Sequence, residues 1–275
     1  MFMRRVTSAI FLIGIVIVAV WFSRGPVALL SFGIAALLGL AGVREYYRLL
    51  EAKGVRVFSG YGSAATVIYL AAVFVDCAVP RMGGRLELPA AAGLLAGLFG
   101  LLVHARDARG ALLNLGGVVS GFVCIAWLWS FIFRILYFPG ADGRWLLYAL
   151  FLIVKGGDIL AYLVGSAVGR HKLIPRISPG KTWEGAAGNL AGGLAGGLIV
   201  WAWFPCGLGL LTALGLGALL SVVGQFGDLA ESVLKRDAGV KDSSGFIPGM
   251  GGTLDVLDSL LPALTAAYLF LVLFR

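Results

Sequence analysis

The sequence predicts an all-α protein that crosses a membrane several times. The mean hydropathy is +0.95 and only 13% of the residues are charged, which is about half the charged fraction of a typical soluble domain. Nine apolar runs approach the roughly 20 residues that a helix needs to cross a bilayer. Runs of this length do not suit a surface that faces water, so a soluble fold is excluded.

The apolar runs set the order of the predicted helices. The first run follows Arg4 and Arg5, and because no cleavage-site pattern follows it, we interpret it as a retained helix rather than a signal peptide. The segment 44–58 is more polar and predicts a short amphipathic helix at the membrane surface. The nine predicted membrane helices are 6–22, 26–43, 60–77, 88–104, 111–137, 145–167, 184–204, 208–232 and 254–274.

The distribution of lysine and arginine predicts the orientation. With a cytoplasmic N-terminus, 15 of these residues fall on the cytoplasmic side and five on the outer side, in agreement with the positive-inside rule. We attribute the net charge of +8 to this topology and expect no nucleic-acid partner. We predict N-terminal membrane helices over 1–110 and a C-terminal region over 111–275, which carries the cytoplasmic loops 168–183 and 233–253.

Glycines recur at a spacing of four residues in the seventh predicted helix. Small residues at this spacing allow helices to approach closely. Packing within the chain is the favoured interpretation, and a homodimer contact is the alternative. The glycines form two overlapping series, Gly188, Gly192 and Gly196, and Gly193 and Gly197.

The densest charge in this apolar chain lies in GDLAESVLKRDAGVKD, residues 227–242. On a helix, Asp228, Glu231 and Lys235 share one face. The next predicted helix begins with Asp255 and Asp258, which are also three residues apart. Ionised side chains at the edge of the hydrocarbon are costly unless they are paired or line a wet cavity. We therefore expect two antiparallel helices to bring Asp228 and Asp255 together at the cytoplasmic face.

Carboxylates that converge repel one another unless a cation binds between them. Oxygen ligands suit Mg²⁺, which is often shared with substrate phosphates. We predict Asp228, Asp255 and Glu231 as ligands of Mg²⁺, with room for a second cation. The charged cytoplasmic loops add groups that suit phosphate oxygens, namely Lys235, Arg236, Lys241, Gly249, Gly251 and Gly252.

A second basic loop, GRHKLIPRISPGKTWEG at 169–185, adds Ser178 and Lys181 as candidate phosphate contacts. Pro179 and Gly180 predict a sharp turn in this loop. Acidic ligands, basic side chains and a glycine-rich turn together indicate phosphoryl or nucleotidyl transfer.

Two interpretations stay open for several of these charges. The acids and bases of 227–242 either serve a substrate or pair with one another in salt bridges at the membrane surface. Lys155 and Asp158 lie one turn apart on the sixth predicted helix, and they either form a buried pair or contribute Asp158 to a polar cavity.

Residues 232–258, SVLKRDAGVKDSSGFIPGMGGTLDVLD, resemble the signature of the phosphatidate cytidylyltransferase (CDP-diacylglycerol synthase) family. The loop 169–185 and the stretch GDILAYLVG, which begins at Gly157, resemble two further blocks of that family. Together these cover the C-terminal half of the chain. The sequence departs from the family pattern at three positions, with Met250 in place of histidine, Val256 in place of arginine and Gly180 in place of a basic residue.

The resemblance implies that a cytidylyl group passes from CTP to phosphatidic acid in the bilayer, with Mg²⁺, to give CDP-diacylglycerol and pyrophosphate. It implies a bacterial cytoplasmic membrane with the active site on the cytoplasmic side. The implied catalytic residues are Asp228, Lys235, Arg236, Asp255 and Asp258. The implied substrate-binding residues are Ser178, Lys181, Lys241, Asp242, Gly251 and Gly252.

Two other function classes fit parts of the pattern. A CTP-dependent polyprenol or lipid kinase, or a cytidylyltransferase for another lipid, would use similar phosphate chemistry. An ion-coupled transporter would also need acids within the membrane, but it predicts internal repeats and charges near the bilayer centre, whereas most of these charges gather at one predicted face.

Overall fold

The computed structural model describes residues 2–79, 81–104 and 109–274. Apart from one small hairpin it consists of helices, which confirms the predicted all-α class. The helices are α1 (Phe2–Trp21), α2 (Ala28–Ala52), α3 (Ser59–Ala78), α4 (Glu87–His104), α5 (Ala111–Gly121), α6 (Leu128–Leu136), α7 (Gly143–Val168), α8 (Trp183–Trp203), α9 (Leu210–Asp237), α10 (Thr253–Leu257) and α11 (Leu260–Phe274). A 3₁₀ turn, Gly25–Val27, precedes α2, a π-helical segment, Phe122–Trp127, joins α5 to α6, and the hairpin strands are β1 (Lys172–Ile174) and β2 (Ser178–Thr182).

Eight helical segments of the described chain are long and apolar enough to cross a membrane. They match the second to ninth predicted helices, so the protein is a polytopic integral membrane protein. The predicted total of nine and the cytoplasmic N-terminus stay predictions, because half of the side chains of α1 lie outside the described part of the chain. Arg106 and Arg275, and the side chains of Arg4 and Arg5, also lie outside it. The eight segments are Ala28–Ala52, Ser59–Ala78, Glu87–His104, Ala111–Leu136, Gly143–Val168, Trp183–Trp203, Leu210–Asp237 and Thr253–Phe274.

Helix α2 continues through most of the segment 44–58, which the sequence predicted as a separate interfacial helix. No glycine or proline interrupts residues 43–53, so nothing in the backbone ends the helix earlier. The buried side chains of Tyr47 and Leu49 and a 2.9 Å hydrogen bond from Tyr46 Oη to Ser120 Oγ hold this part within the protein. Apart from the buried Glu45, the charged residues of the segment therefore lie on the exposed side of a long helix or just after its end.

The predicted loop 168–183 contains an antiparallel hairpin. Lys172 pairs with Thr182 and Ile174 with Ser178, and the turn lies between the strands, where Ile177 N–H donates to the Ile174 carbonyl. Pro179 and Gly180 therefore lie in β2, and the sharp turn predicted there was wrong. A two-stranded sheet has open edges, and at an open edge the missing N–H of a proline breaks no ladder bond.

Two compact units divide the chain. The first contains 1–134 and 242–255, and the second contains 135–241 and 256–275. The first unit also includes the segment 242–255. The reason is chemical, since Glu45 of α2 accepts hydrogen bonds from this segment. The predicted division at 110, between N-terminal membrane helices and a C-terminal region, stays a prediction.

Aromatic side chains form much of the core of the first unit. The rings of Phe32, Phe74 and Phe133 lie 5.0 to 6.1 Å apart, within the favourable range for aromatic pairs. Trp129 packs against Gly39, where a Cβ atom would lie 2.9 Å from the indole Cδ1, and its Nε1 donates to the Ala35 carbonyl at 2.8 Å. The small residue at position 39 thus makes room for the largest fully buried side chain.

In the second unit, neighbouring glycines of α8 contact two different helices. A Cβ atom at Gly192 would lie 2.9 Å from the Cα of Gly157 in α7. A Cβ atom at Gly193 would overlap the carbonyl oxygen of Gly217 in α9. These contacts confirm the interpretation that the glycines pack within the chain. Gly188 and Gly196 repeat the approach to α7, and Gly197 repeats the approach to α9.

We expect Gly193→Ala to lower the thermal stability of the detergent-solubilised protein, because the added methyl group meets backbone atoms of α9 that cannot rotate away. Overpacking of this kind costs about 1–3 kcal/mol, which should appear as a fall in Tm. Gly156→Ala in α7 is the matched control, since a Cβ atom there meets nothing within 4 Å. Equal Tm values for the two variants would contradict the close α8–α9 packing.

Candidate functional site

Three carboxylates and two lysines form a charged cluster in the second unit, comprising Asp158, Asp228, Asp258, Lys155 and Lys181. Lys181 Nζ lies 2.8 Å from Asp228 Oδ2. Asp258 interacts electrostatically with Asp228, Asp158 and Lys155. With all five groups ionised, the cluster carries one more negative than positive charge. It is therefore suited to attract a further cation.

The ion pair between Lys181 and Asp228 joins two distant parts of the sequence. Asp228 lies in the C-terminal part of α9, and Lys181 comes from the end of β2. The next residue, Thr182, caps α8, because its Oγ1 accepts a 3.0 Å hydrogen bond from Gly185 N–H. This cap fixes where the hairpin ends and the helix begins, and so it fixes where Lys181 leaves the backbone.

Lys155 connects α7 to α10 and to the chain that follows it. Its Nζ donates to Ser259 Oγ at 2.9 Å and to the Val256 carbonyl at 3.3 Å. Its ion pair with Asp158 is longer, at 3.5 Å. The Lys155–Asp158 pair exists, but 36% of each side chain is exposed, so the pair is not buried. The contribution of Asp158 to a polar cavity stays a prediction.

Asn189 of α8 is a polar residue that the sequence interpretation missed. It is 4% exposed, its Nδ2 lies 3.5 Å from Asp158 Oδ1, and its Oδ1 is buried without a hydrogen-bond partner. A single asparagine within the glycine-rich α8 was the available signal. Its amide adds a buried polar group beside the charged cluster.

Glu231 and Lys235 pair with each other one helical turn apart. Their side chains are 5% and 12% exposed, and Lys235 Nζ lies 2.5 Å from Glu231 Oε2. The sequence assigned Glu231 to a metal and Lys235 to a phosphate. Both roles stay predictions, and each would require this buried pair to exchange partners.

Arg236 joins the hairpin to the chain that follows α9. Its Nε donates to the Ile177 carbonyl at 3.2 Å, and its Nη1 donates to the Val240 carbonyl at 3.1 Å. Among the other predicted substrate contacts, Ser178 in β2 is half-buried and Lys241 is exposed. Arg236 is thus a predicted phosphate contact that reaches the hairpin, which also carries Ser178.

Asp255 lies in the first unit, where it organises the segment that precedes it. Its Oδ2 accepts hydrogen bonds from Ser243 N–H at 2.9 Å, Ser243 Oγ at 2.9 Å and Gly252 N–H at 2.6 Å. Asp242, at the start of the segment, is exposed. Because Asp228 belongs to the second unit, its predicted convergence with Asp255 on one cation stays a prediction.

The glycine turn, residues 249–252 before α10, lies against the Asp255 carboxylate. Gly251 has a φ of +97°, which favours glycine, and it pairs with Ile247 in an isolated bridge. At Gly252 a Cβ atom would overlap the Ser243 hydroxyl. The anion that these glycines approach is the protein's own Asp255, and their predicted contact with a substrate phosphate stays a prediction.

Glu45 of α2 is a second residue that the sequence interpretation missed. Its side chain is buried, at 4% exposure. Oε1 accepts from Thr253 N–H at 3.0 Å and Ser244 Oγ at 2.7 Å. Oε2 accepts from Leu254 N–H at 2.7 Å and Ser243 Oγ at 2.9 Å.

A signal for Glu45 was present in the helical spacing. Gly42, Glu45 and Leu49 share the buried face of α2, whereas Arg44 and Arg48 are exposed on the other side. An acid on the apolar face of a helix needs a partner. The partner here comes from about 200 residues further along the chain, which no local pattern indicates.

The donor chemistry of the charged cluster fits Mg²⁺, because its potential ligand atoms are carboxyl oxygens and it contains three acids and two lysines. Within the described residues, no group of three or more His, Cys, Asp or Glu side chains is spaced as a ready metal site. Asp228 is paired with Lys181, so a cation at Asp228 would have to compete with that ammonium group.

Comparisons with known proteins agree with the C-terminal resemblance and extend it over the chain. The model of the cytidylyltransferase family matches residues 3–274. A phosphatidate cytidylyltransferase of Pseudomonas aeruginosa is 35% identical over 268 residues, which are 96% of this chain and 94% of that protein.

Other relatives match over shorter stretches. A phosphatidate cytidylyltransferase of Brucella abortus is 49% identical over 127 residues, which are 46% of each chain. One of Mycobacterium bovis is 38% identical over 138 residues, which are 50% of this chain and 44% of that protein. The chain thus spans about half the length of these two relatives. Because the family model covers nearly the whole sequence, the chain belongs to the cytidylyltransferase family.

Proposed function

We propose that this protein transfers the cytidylyl group of CTP to phosphatidate and forms CDP-diacylglycerol and pyrophosphate. Membership of the family and the names of the relatives support the reaction class and the substrates. The structural observation that supports it most is the Asp228–Lys181 pair, because carboxylates suit Mg²⁺ and ammonium groups suit phosphate. The charged cluster adds two further carboxyl groups, Asp158 and Asp258, and a further ammonium group, Lys155.

In the proposed reaction, a phosphate oxygen of phosphatidate forms a bond to the α-phosphorus of CTP. The bond between that phosphorus and the oxygen bridging to the β-phosphate breaks, and pyrophosphate leaves with the bonding electrons. The attacking oxygen is already an anion at neutral pH, so no strong general base is needed. Catalysis then depends on positioning and on neutralising the charge of the phosphates.

The lysines of the charged cluster supply part of this neutralisation. Lys181 is half-buried, with 21% of its side chain exposed, and in a partly desolvated site its charge acts more strongly on a phosphate than it would in water. Lys155 is held by Ser259 and Val256, so its ammonium group has a defined place. Mg²⁺, when bound, would be held by Asp228 and Asp258 and would neutralise charge on the triphosphate.

The roles proposed for the remaining site residues rest on the sequence alone. Lys235, Arg236 and Lys241 hold the triphosphate, and Ser178 contacts a substrate phosphate. Arg236 already bridges the hairpin and the chain after α9, so its guanidinium is positioned before a nucleotide arrives. Asp255 and Glu231 stay candidates for the cation, and Asp242, Gly251 and Gly252 stay candidates for the substrate.

The setting that we propose is a bacterial cytoplasmic membrane, with the charged cluster on the cytoplasmic side. Bacterial relatives and the excess of lysine and arginine on one predicted side support it. The proposed homodimer now lacks the support of the glycine series, because those residues pack against α7 and α9 of the same chain. Mass photometry in nanodiscs would determine the oligomeric state.

Purified protein incubated with CTP, Mg²⁺ and phosphatidate should release CDP-diacylglycerol and pyrophosphate in equal amounts. Lipid mass spectrometry and a coupled pyrophosphate assay measure the two products. A reaction without phosphatidate is the control and should release no pyrophosphate. Release of CDP instead of pyrophosphate would contradict the proposal and indicate a lipid kinase.

Asp228→Asn should lower kcat by about 10²-fold or more, because the cluster loses the carboxylate that faces Lys181 and the cation. Asp258→Asn should act in the same direction. Asp237→Asn is the matched control, since it removes an exposed acid at the end of the same helix, and it should leave kcat within about twofold. Normal turnover by both Asp228→Asn and Asp258→Asn would contradict the role of the cluster.

Removal of divalent cations with EDTA should abolish turnover, and added Mg²⁺ should restore it, because the acids of the cluster would repel a triphosphate unless a cation lies between them. Asp258→Asn should raise the Mg²⁺ concentration for half-maximal rate. Turnover that survives complete chelation would contradict the Mg²⁺ assignment.

A further inference from the structure

The buried carboxylate of Glu45 is an unusual feature of α2. It is 4% exposed, and its two oxygens have four donor groups within hydrogen-bond distance, two serine hydroxyls and two backbone N–H groups. A buried ionised carboxylate without a cation is tolerated only if hydrogen bonds replace its hydration. All four donors come from the segment 243–254. Both carboxylate oxygens of Glu45 therefore accept hydrogen bonds from this one segment.

The two backbone N–H groups that donate to Glu45 belong to the start of α10. Thr253 and Leu254 are the first two residues of α10, and the first N–H groups of a helix have no partner within the helix. Glu45 supplies that partner from another helix. A carboxylate at the start of a helix is also favoured by the helix dipole. The start of α10 is thus fixed to α2.

The serine donors connect Glu45 to Asp255. Ser243 Oγ lies 2.9 Å from Glu45 Oε2 and 2.9 Å from Asp255 Oδ2. One hydroxyl has one proton, so it bridges the two carboxylates and donates to one at a time. Since α10 carries Asp255 two residues after Thr253, Glu45 controls the position of Asp255 through both the hydroxyl and the helix start.

We propose that Glu45 is a positioning residue for nucleotide handling. It holds the segment 243–254 so that Asp255 and the glycine turn keep one arrangement before CTP binds. This role rests on the proposed function, in which that segment serves CTP and Mg²⁺ rather than the lipid. Glu45 itself touches no reacting group in this role.

A Glu45→Gln substitution separates this role from simple space filling. Glutamine has almost the same shape, but one of its terminal atoms is an NH₂ group, which cannot accept a hydrogen bond. Whichever way the amide is turned, either Thr253 N–H or Leu254 N–H then faces another donor. Glu45→Asp keeps two acceptor oxygens on a shorter side chain. Glu51→Gln, on the exposed face of the same helix, is the matched control.

The first measurement is amide hydrogen exchange on the whole protein in detergent, without substrate. In Glu45→Gln we expect exchange at Thr253 and Leu254 to accelerate by about tenfold or more, as the loss of a hydrogen bond to a charged group predicts. Exchange in α3 should stay unchanged. Ser244→Ala removes one donor and leaves the carboxylate intact, so it provides a milder variant if Glu45→Gln folds poorly. Unchanged exchange in both variants would overturn the proposal.

The second measurement divides the kinetic effect between the two substrates. For Glu45→Gln we expect kcat/KM for CTP to fall by about 10- to 100-fold, because small displacements of positioned groups have effects of this size. KM for phosphatidate should stay within about twofold, and Glu45→Asp should recover part of the loss. Equal losses for both substrates, or no recovery by Glu45→Asp, would indicate general damage and overturn the positioning role.

The two measurements also separate this proposal from the proposed function. If wild-type protein forms no CDP-lipid, the proposed function fails, and the exchange result still decides whether Glu45 holds the segment. If wild-type protein forms CDP-lipid and Glu45→Gln accelerates exchange without a change in kcat/KM for CTP, the proposed function stands and the positioning role fails.

Discussion

A carboxylate among apolar helices must be matched by a cation or by several hydrogen-bond donors, and this requirement shapes the polar parts of both units. The cost of leaving such a group unmatched is several kcal/mol. In the second unit, Asp228 is matched by Lys181 and Glu231 by Lys235. In the first unit, Glu45 is matched by donors alone. The two solutions have different chemical consequences.

An ion pair can exchange its partner for a ligand, whereas a carboxylate saturated by backbone donors cannot do so without unfolding its surroundings. Asp228 is 36% exposed on its side chain, and its lysine partner is mobile at the end of four methylene groups. Glu45 has no such freedom, because two of its four donors are peptide N–H groups. The first arrangement suits a site that binds charged substrates, and the second suits a fixed support.

Glu87 and Asp76 are further matched acids of the first unit. Glu87 at the start of α4 pairs with Arg134 and accepts a 2.7 Å hydrogen bond from Tyr69 Oη. Asp76 accepts from the N–H groups of Leu86 and Glu87, so the start of α4 is held by side chains from α3. These contacts join helices within the first unit and explain the polar residues there without a substrate.

The helices could be predicted from the sequence because their signal is local. Apolar runs of about 20 residues identify membrane helices by composition and length alone, and the described segments follow the predicted ones closely. The hairpin was missed because 172–182 contains proline and glycine, which usually indicate a turn. Asp228 was found as a site residue since acids are rare in this chain. Lys181 was also predicted as a site residue, but its pairing with Asp228 was not, because 47 positions of sequence separate them and only the fold brings them together.

The glycine packing and the charged cluster are linked through adjacent residues of α7. Gly157 meets α8 at Gly192, where any side chain would separate the two helices, and Asp158 is the next residue. A Cβ atom at Gly157 would lie 3.2 Å from Asn189 Oδ1, closer than such contacts usually are, so a larger residue at 157 would also displace Asn189. Asp158 reaches Asn189 across the same interface. The glycines therefore set the distance between α7 and α8. That distance determines the position of Asp158 relative to the other acids of the charged cluster.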